Sequence, residues 1–198
     1  MSLFKTPIVV IDTETTGFPG QAWSAVCDLA GVVVECDGSL RAEPFQCLIR
    51  PEVLDERCEG AASIHGLSNE RPIRDGVAPV YALDLWRKWF AAQETAWMTS
   101  YNVAFDRPMV EKMGVVEGRW ANCVMLAATD EMGRAGLTPY KYGKYQWVKL
   151  EKAASYYGVE LVQPAHRALS DARTAARVLV EIRRRRLELE EIGREVRL

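Results

Sequence analysis

Apolar positions along this chain lay down strands first and helices later. Residues 7–12, Pro-Ile-Val-Val-Ile-Asp, form a short β-branched apolar run, the pattern of a buried strand. A second run over 22–35, rich in Ala, Val and Leu, predicts another strand. Asp37-Gly38 follows as a hairpin signal, because Gly takes positive φ without penalty. Residues 41–49 return with partial alternation as a third strand. Residues 51–66 carry no period and read as irregular, with Ser68 as a helix cap. Helical spacing reappears at Val80, Leu83, Trp86 and Phe90, so 77–92 predicts a helix lying on the sheet. Residues 95–101 are a fourth strand, and a helix follows to about Met113. Helices are also predicted over 126–132 and 149–157, separated by an exposed loop at 133–148 rich in Gly, Pro, Tyr and Lys. A long last helix starts near His166 and runs through four arginines at 183–186. A meander of strands, then alternating strands and helices, predicts a mixed sheet covered by helices.

A chain of 198 residues can bury a sizeable core. With no repeat, low-complexity stretch or linker in view, 1–198 is expected to be one domain. Hydrophobic residues at 48% and charged residues at 26% describe an ordinary soluble globular protein. No apolar run approaches the roughly 20 residues of a membrane span. The opening Met-Ser-Leu-Phe-Lys-Thr-Pro carries no apolar leader, so a cytoplasmic protein without membrane attachment is expected. The five cysteines contain no Cys-x-x-Cys pair and fit reduced thiols better than a disulfide framework or a zinc site. A formal net charge of −2 argues against a protein that coats long duplexes; a nucleic-acid partner would be bound locally, which leaves room for one that grips a chain end.

Candidate chemistry begins where the first strand ends, in Asp12-Thr13-Glu14-Thr15-Thr16-Gly17. Residues two apart on a strand share a face, so the Asp12 and Glu14 carboxylates lie side by side. Like charges that close repel unless a cation neutralises them, and Mg²⁺ or Mn²⁺ suits carboxylate oxygens. The competing reading turns Glu14 into solvent in a Thr/Gly-rich turn. Asp106 follows the fourth strand, where an Asp alone often caps a helix. Asp171 stands one turn inside the last helix, where it could merely complement the helix dipole. His166, five residues earlier, either leans over the same site or caps the helix. Four acids at the edges of three elements plus one imidazole match the needs of two-metal phosphodiester hydrolysis, with His166 taking the proton from water.

Asp12-Thr-Glu14-Thr-Thr-Gly, Tyr101-Asn-Val-Ala-Phe-Asp106 and His166-Arg-Ala-Leu-Ser-Asp171-Ala together resemble the three motifs of the DEDDh 3′–5′ exonucleases, which include the proofreading subunit of bacterial replicative DNA polymerases. The resemblance covers about 7–180, leaving 181–198 as a helical C-terminal extension. It implies a ribonuclease-H-like α/β fold: a mixed five-stranded sheet, its first three strands antiparallel, flanked by helices. It implies two divalent metal ions, Mg²⁺ or Mn²⁺, held by Asp12, Glu14, Asp106 and Asp171, with His166 as general base. The activity implied is release of nucleoside 5′-monophosphates from the 3′ end of single-stranded or frayed DNA or RNA. The backbone around Thr15 would hold the terminal nucleotide, Phe18 and His65 would flank it, and Asn102 would contact it. Ile64-His65-Gly66-Leu67 and Cys123 also fall where such enzymes carry similar residues. Tyr101 departs from the pattern, since many relatives carry His before the Asn; this bears on nucleotide contact, not on the metals. A polymerase or a second copy of the chain is the protein partner the resemblance suggests.

Two other functions stay open on the residues alone: a catalytically idle nucleic-acid-binding or interaction module on the same fold, and an endonuclease of the ribonuclease-H type. His65 before Gly66 equally shapes a turn. Tyr140-Lys141-Tyr142-Gly143-Lys144-Tyr145 interleaves basic and aromatic residues, either as a single-strand contact surface or as a solvated loop. The arginines at 183–186, followed by Glu188, Glu190 and Glu191, read as a solvated helix face. The six tryptophans read as core or helix–sheet packing.

Overall fold

The computed structural model describes residues 2–53, 55–66 and 70–195. Its first strand, β1, is Ile8–Thr15 and runs three residues past the expected end, because Asp12, Thr13 and Glu14 keep their antiparallel partners on β2, Val26–Val34. β3, Phe45–Leu48, pairs antiparallel with β2. The Asp37-Gly38 turn lies between them, with Gly38 at φ 91° and its N–H donating to the Glu35 carbonyl at 2.9 Å. β4, Trp97–Ser100, pairs parallel with β1, and β5, Arg119–Trp120, parallel with β4. The described residues thus form a mixed five-stranded sheet in the order β3-β2-β1-β4-β5.

The helices are α1 (Glu59–His65), α2 (Glu70–Asp75), α3 (Pro79–Ala91), α4 (Val103–Met113), α5 (Val124–Arg134), α6 (Leu150–Tyr157) and α7 (Ala168–Glu195). Strand alternation divides the core between two faces. Val10, Ala30, Val32 and Val34 pack with α5, α6 and α7. Val9, Ile11, Leu29 and Val33 pack with Trp86 and Phe90 of α3 and Met109 of α4. α7 offers Ala168, Ala172, Ala175 and Ala176 at helical spacing, all fully buried, and these small side chains let it lie close against β1 and β2. On the opposite face Gly31 makes room for aromatic rings: a Cβ there would lie 3.0 Å from Trp89 and 3.1 Å from Trp86. Around that space Phe45, Trp86, Trp89 and Phe90 form one aromatic cluster.

Several local expectations change. Residues 56–65 are a short 3-10 turn (Glu56–Cys58) followed by α1, not irregular chain; the Ser68 cap lies outside the described residues. Val80 is 77% exposed, and α3 seats through Ala82, Trp86 and Phe90 instead. The 133–148 stretch holds a hairpin of β6 (Tyr140–Lys141) and β7 (Lys144–Tyr145). Trp97 and Trp147 are exposed, whereas the other four tryptophans are buried or half-buried. Nor is the 183–186 stretch simply solvated. Arg183 Nε donates to the Leu3 carbonyl at 2.8 Å, and the Arg185 guanidinium lies 4.6 Å from the ring centres of both Tyr156 and Tyr157. All five cysteines are unpaired among the described residues. No helix of the described residues is long and apolar enough to cross a membrane.

Candidate active site

Strand parity decides where the β1 acids go. Val10, Asp12 and Glu14 share the face that α7 covers, and Asp171, in the first turn of α7, comes down upon them. One carboxylate oxygen from each of Asp12, Glu14 and Asp171 lies within 4.8 Å of the other two. Thr13 points the other way and reaches α4. There Asp106 Oδ1 accepts from the Thr13 N–H at 3.2 Å and from Thr13 Oγ1 at 2.8 Å. Asp106 is 3% exposed and does not cap α4, whose N-cap is Asn102. Asp12, Asp106, Asp171, Asn102 and His166 line one cleft of about 490 Å³.

Burial first, and the neighbouring carboxylates second, hold Asp12 well above the usual carboxylate range and push Glu14 up to about 8. Burial raises Asp106 to about 6 against the opposing hydrogen bonds from Thr13. Asp171 is raised by burial and pulled back by the nearby His166. Four carboxyl groups so placed cannot all ionise without a counter-charge. Hard oxygen donors at this spacing could hold a divalent cation.

Asp28 adds a fifth acid that sequence reasoning missed. It is the register partner of Glu14 on β2, fully buried, and its Oδ2 lies 3.4 Å from Arg167 Nη2. Burial raises its pKa and Arg167 opposes the rise. The pair ties the entrance of α7 to the sheet one residue after His166, whose φ of 56° turns the chain sharply there. His166 itself is exposed at the mouth of the acid cleft.

A second cavity, about 350 Å³, opens beside the acids and shares Thr13 and Phe105 with their cleft. Thr15, Phe18, Trp23, Ile64 and His65 line it. A register shift between Glu14 and Thr15 ends the regular pairing of β1 at its rim, a common device next to functional sites. Phe18, 66% exposed, stands edge-on to Phe105 with ring centres 6.4 Å apart. His65 closes α1 and is buried; burial lowers its pKa while a hydrogen bond with the Thr15 backbone opposes this. It therefore both ends a helix, with Gly66 following at φ 64°, and walls the cavity. The structure brings Thr15, Phe18 and His65 together here, and sets Asn102 among the acids instead. The Asn102 Oδ1 is buried without a hydrogen-bond partner among the described residues. Tyr101 turns inward: its hydroxyl donates to the Val148 carbonyl at 2.6 Å, so it braces the cleft wall.

The sheet order and the helix layers make a ribonuclease-H-like α/β fold, one that solved nucleases share. Escherichia coli exonuclease I in complex with a dA16 oligonucleotide superposes with a TM-score of 0.72 at 17% identity, over 95% of this chain and 43% of that one. A moderately thermophilic exonuclease I from Methylocaldum szegediense gives 0.70 at 21% identity, over 93% and 42%. Cell-death related nuclease 4 gives 0.68 at 17% identity, over 89% and 63%. The chain therefore spans less than two thirds of each, and at such identities the likeness is one of fold. No protein-family model matches the chain, and no curated protein matches it by sequence.

Proposed function

We propose that the chain is a metal-dependent 3′–5′ exonuclease, a single cytoplasmic catalytic domain that removes nucleoside 5′-monophosphates from the 3′ end of single-stranded or frayed nucleic acid. The observation that carries this reading is the meeting of Asp12, Glu14 and Asp171 oxygens within 4.8 Å, at the rim of a cavity walled by Phe18 and His65. The shared fold of an exonuclease I that holds a dA16 oligonucleotide supports it.

In this reading Asp12, Glu14, Asp106 and Asp171 hold two Mg²⁺ or Mn²⁺ ions. Bound there, the ions supply positive charge for the developing oxyanion and make water easier to deprotonate. His166, at the cleft mouth, accepts the proton from the attacking water, and the Asp28–Arg167 pair fixes the backbone beside it. The exposed face of Phe18 stacks on the terminal base with Phe105 standing edge-on beside it, His65 and the Thr15 backbone wall its sugar, and Asn102 Oδ1 accepts a hydrogen bond from the nucleotide.

The test is a 5′-labelled oligonucleotide incubated with Mg²⁺ or Mn²⁺ and, separately, with EDTA. A ladder shortened from the 3′ end, absent with EDTA and with Asp12→Ala, is expected. Intact oligonucleotide under every metal condition refutes the activity, and cleavage of a circular strand refutes the exonucleolytic mode. Initial rates on matched DNA and RNA oligonucleotides decide between the two substrates.

A further inference from the structure

The β6–β7 hairpin is built unlike an idle loop. Tyr142 and Gly143 form its two-residue turn, both with positive φ, 55° and 77°. Such a turn favours Asn-Gly, and an aromatic residue in the left-handed region is costly. Yet a tyrosine is held there, 95% exposed. Below the turn Lys141 and Lys144 are direct cross-strand partners, a like-charge pairing that disfavours a hairpin in isolation. Between residues 139 and 150 there are three lysines and no acid, on a chain of formal charge −2. Among the described residues none of these lysines forms an ion pair.

The base of the hairpin is firmly tied. Tyr145 packs on Gly133 of α5, where any side chain would collide with its ring. Thr138 Oγ1 donates to the Gln146 carbonyl at 2.8 Å, the Gln146 N–H to the Pro139 carbonyl at 2.9 Å, and Lys152 Nζ to the Leu137 carbonyl at 2.8 Å. From that base the aromatic and basic residues lead into the acid cleft. Lys144 Nζ lies 5.6 Å from the ring centre of Trp147, and Trp147, 61% exposed, lines the cleft together with Lys149.

We propose that this hairpin and Trp147 are the binding track for the single strand that leads away from the terminal nucleotide in the 5′ direction. Aromatic faces stack on bases without regard to sequence, while Lys141, Lys144 and Lys149 neutralise successive phosphates and relieve the like-charge pairing. The inference rests on the exonuclease reading, and deepens it by assigning where the strand runs. A protein docking here would need acids to meet the lysines; a nucleic acid brings both charge and stacking surface at once.

The experiment compares cleavage of a dodecanucleotide and a dinucleotide, the latter too short to reach the hairpin. The wild type is compared with Tyr142→Ala and with the double variant Lys141→Glu, Lys144→Glu. Each is expected to lower the dodecanucleotide-to-dinucleotide ratio of kcat/KM by about tenfold. The double variant should also flatten the salt dependence of dodecanucleotide binding. An unchanged ratio in both variants overturns the proposal, including the case in which the hairpin serves a protein partner. Should no substrate be cleaved at all, the exonuclease reading fails first. Dodecanucleotide affinity in EDTA, by fluorescence anisotropy, then decides the track separately: loss in both variants supports it, and equal affinity overturns it.

Discussion

Stripped of metal, the protein should lose stability as the pH rises. Glu14 titrates at about 8 in the folded chain against an ordinary value of 4.5. Between those values the folded state holds a proton that the unfolded chain has released. Stability therefore falls through that window and reaches its floor once the pH passes about 8. A rise from 4.5 to about 8, at 1.36 kcal/mol per unit, sets a ceiling of about 5 kcal/mol. Water entering the open side of the cleft screens part of this, which leaves about 2–3 kcal/mol. Asp106, at about 6, completes its own contribution at lower pH, whereas Asp12, also raised by burial and by its neighbouring carboxylates, shares the upper part of the window with Glu14. The perturbation is Glu14→Gln, which keeps the shape and removes the titration. Urea unfolding in EDTA from about pH 5.5 to about pH 8.5 should show most of that loss in the wild type and a distinctly smaller one in the variant. The variant should also be the more stable protein at the alkaline end. Saturating Mg²⁺ should restore the wild type, by about 1.4 kcal/mol for each tenfold excess over Kd. A wild type whose stability in EDTA is flat across that range, or a variant that falls as steeply, refutes the crowding argument.

His166→Ala should keep oligonucleotide affinity, read by anisotropy, and lose about 10²–10⁴ in kcat, with a residual rate that climbs with pH as hydroxide replaces the base; normal turnover would remove His166 from the mechanism. Phe18→Ala removes an exposed ring, so folding should be unaffected while KM for the oligonucleotide rises about tenfold; an unchanged KM shows that Phe18 does not touch the base. Asp28→Ala leaves Arg167 beside the sheet without its counter-charge. It should cost about 3 kcal/mol in urea unfolding and depress kcat through the loosened His166 backbone. A stability within about 1 kcal/mol of wild type would mean that the pair is not needed to seat α7.

What could be read in advance followed periodicity. Asp12 and Glu14 were legible because a strand repeats every two residues, and the same parity, counted from Val10, puts them under α7. The fifth strand, Arg119–Trp120, is too short to leave a pattern. α1 was missed because its apolar residue, Ile64, faces the open cavity beside Phe18 rather than the core, so no buried stripe marks the helix. Val80 misled for the opposite reason: it kept the helical spacing but points to water. Asp28 left one sign, an acid inside an otherwise apolar run. Its partner Arg167 lies 139 residues away, a separation at which local patterns say nothing.

The four buried alanines of α7 set a tolerance as well as a distance. Of the four proposed ligands, Asp12 and Glu14 ride on a strand and Asp171 on a helix that these small side chains let lie close to it. A bulkier residue at 168, 172, 175 or 176 would lift the helix and widen the gap between Asp171 and its partners. Cations differ in the bond lengths they accept, Mg²⁺ demanding shorter ones than Ca²⁺. The ionic radius the proposed site would admit is thus governed from deep in the interior, by side chains that no ion would ever meet.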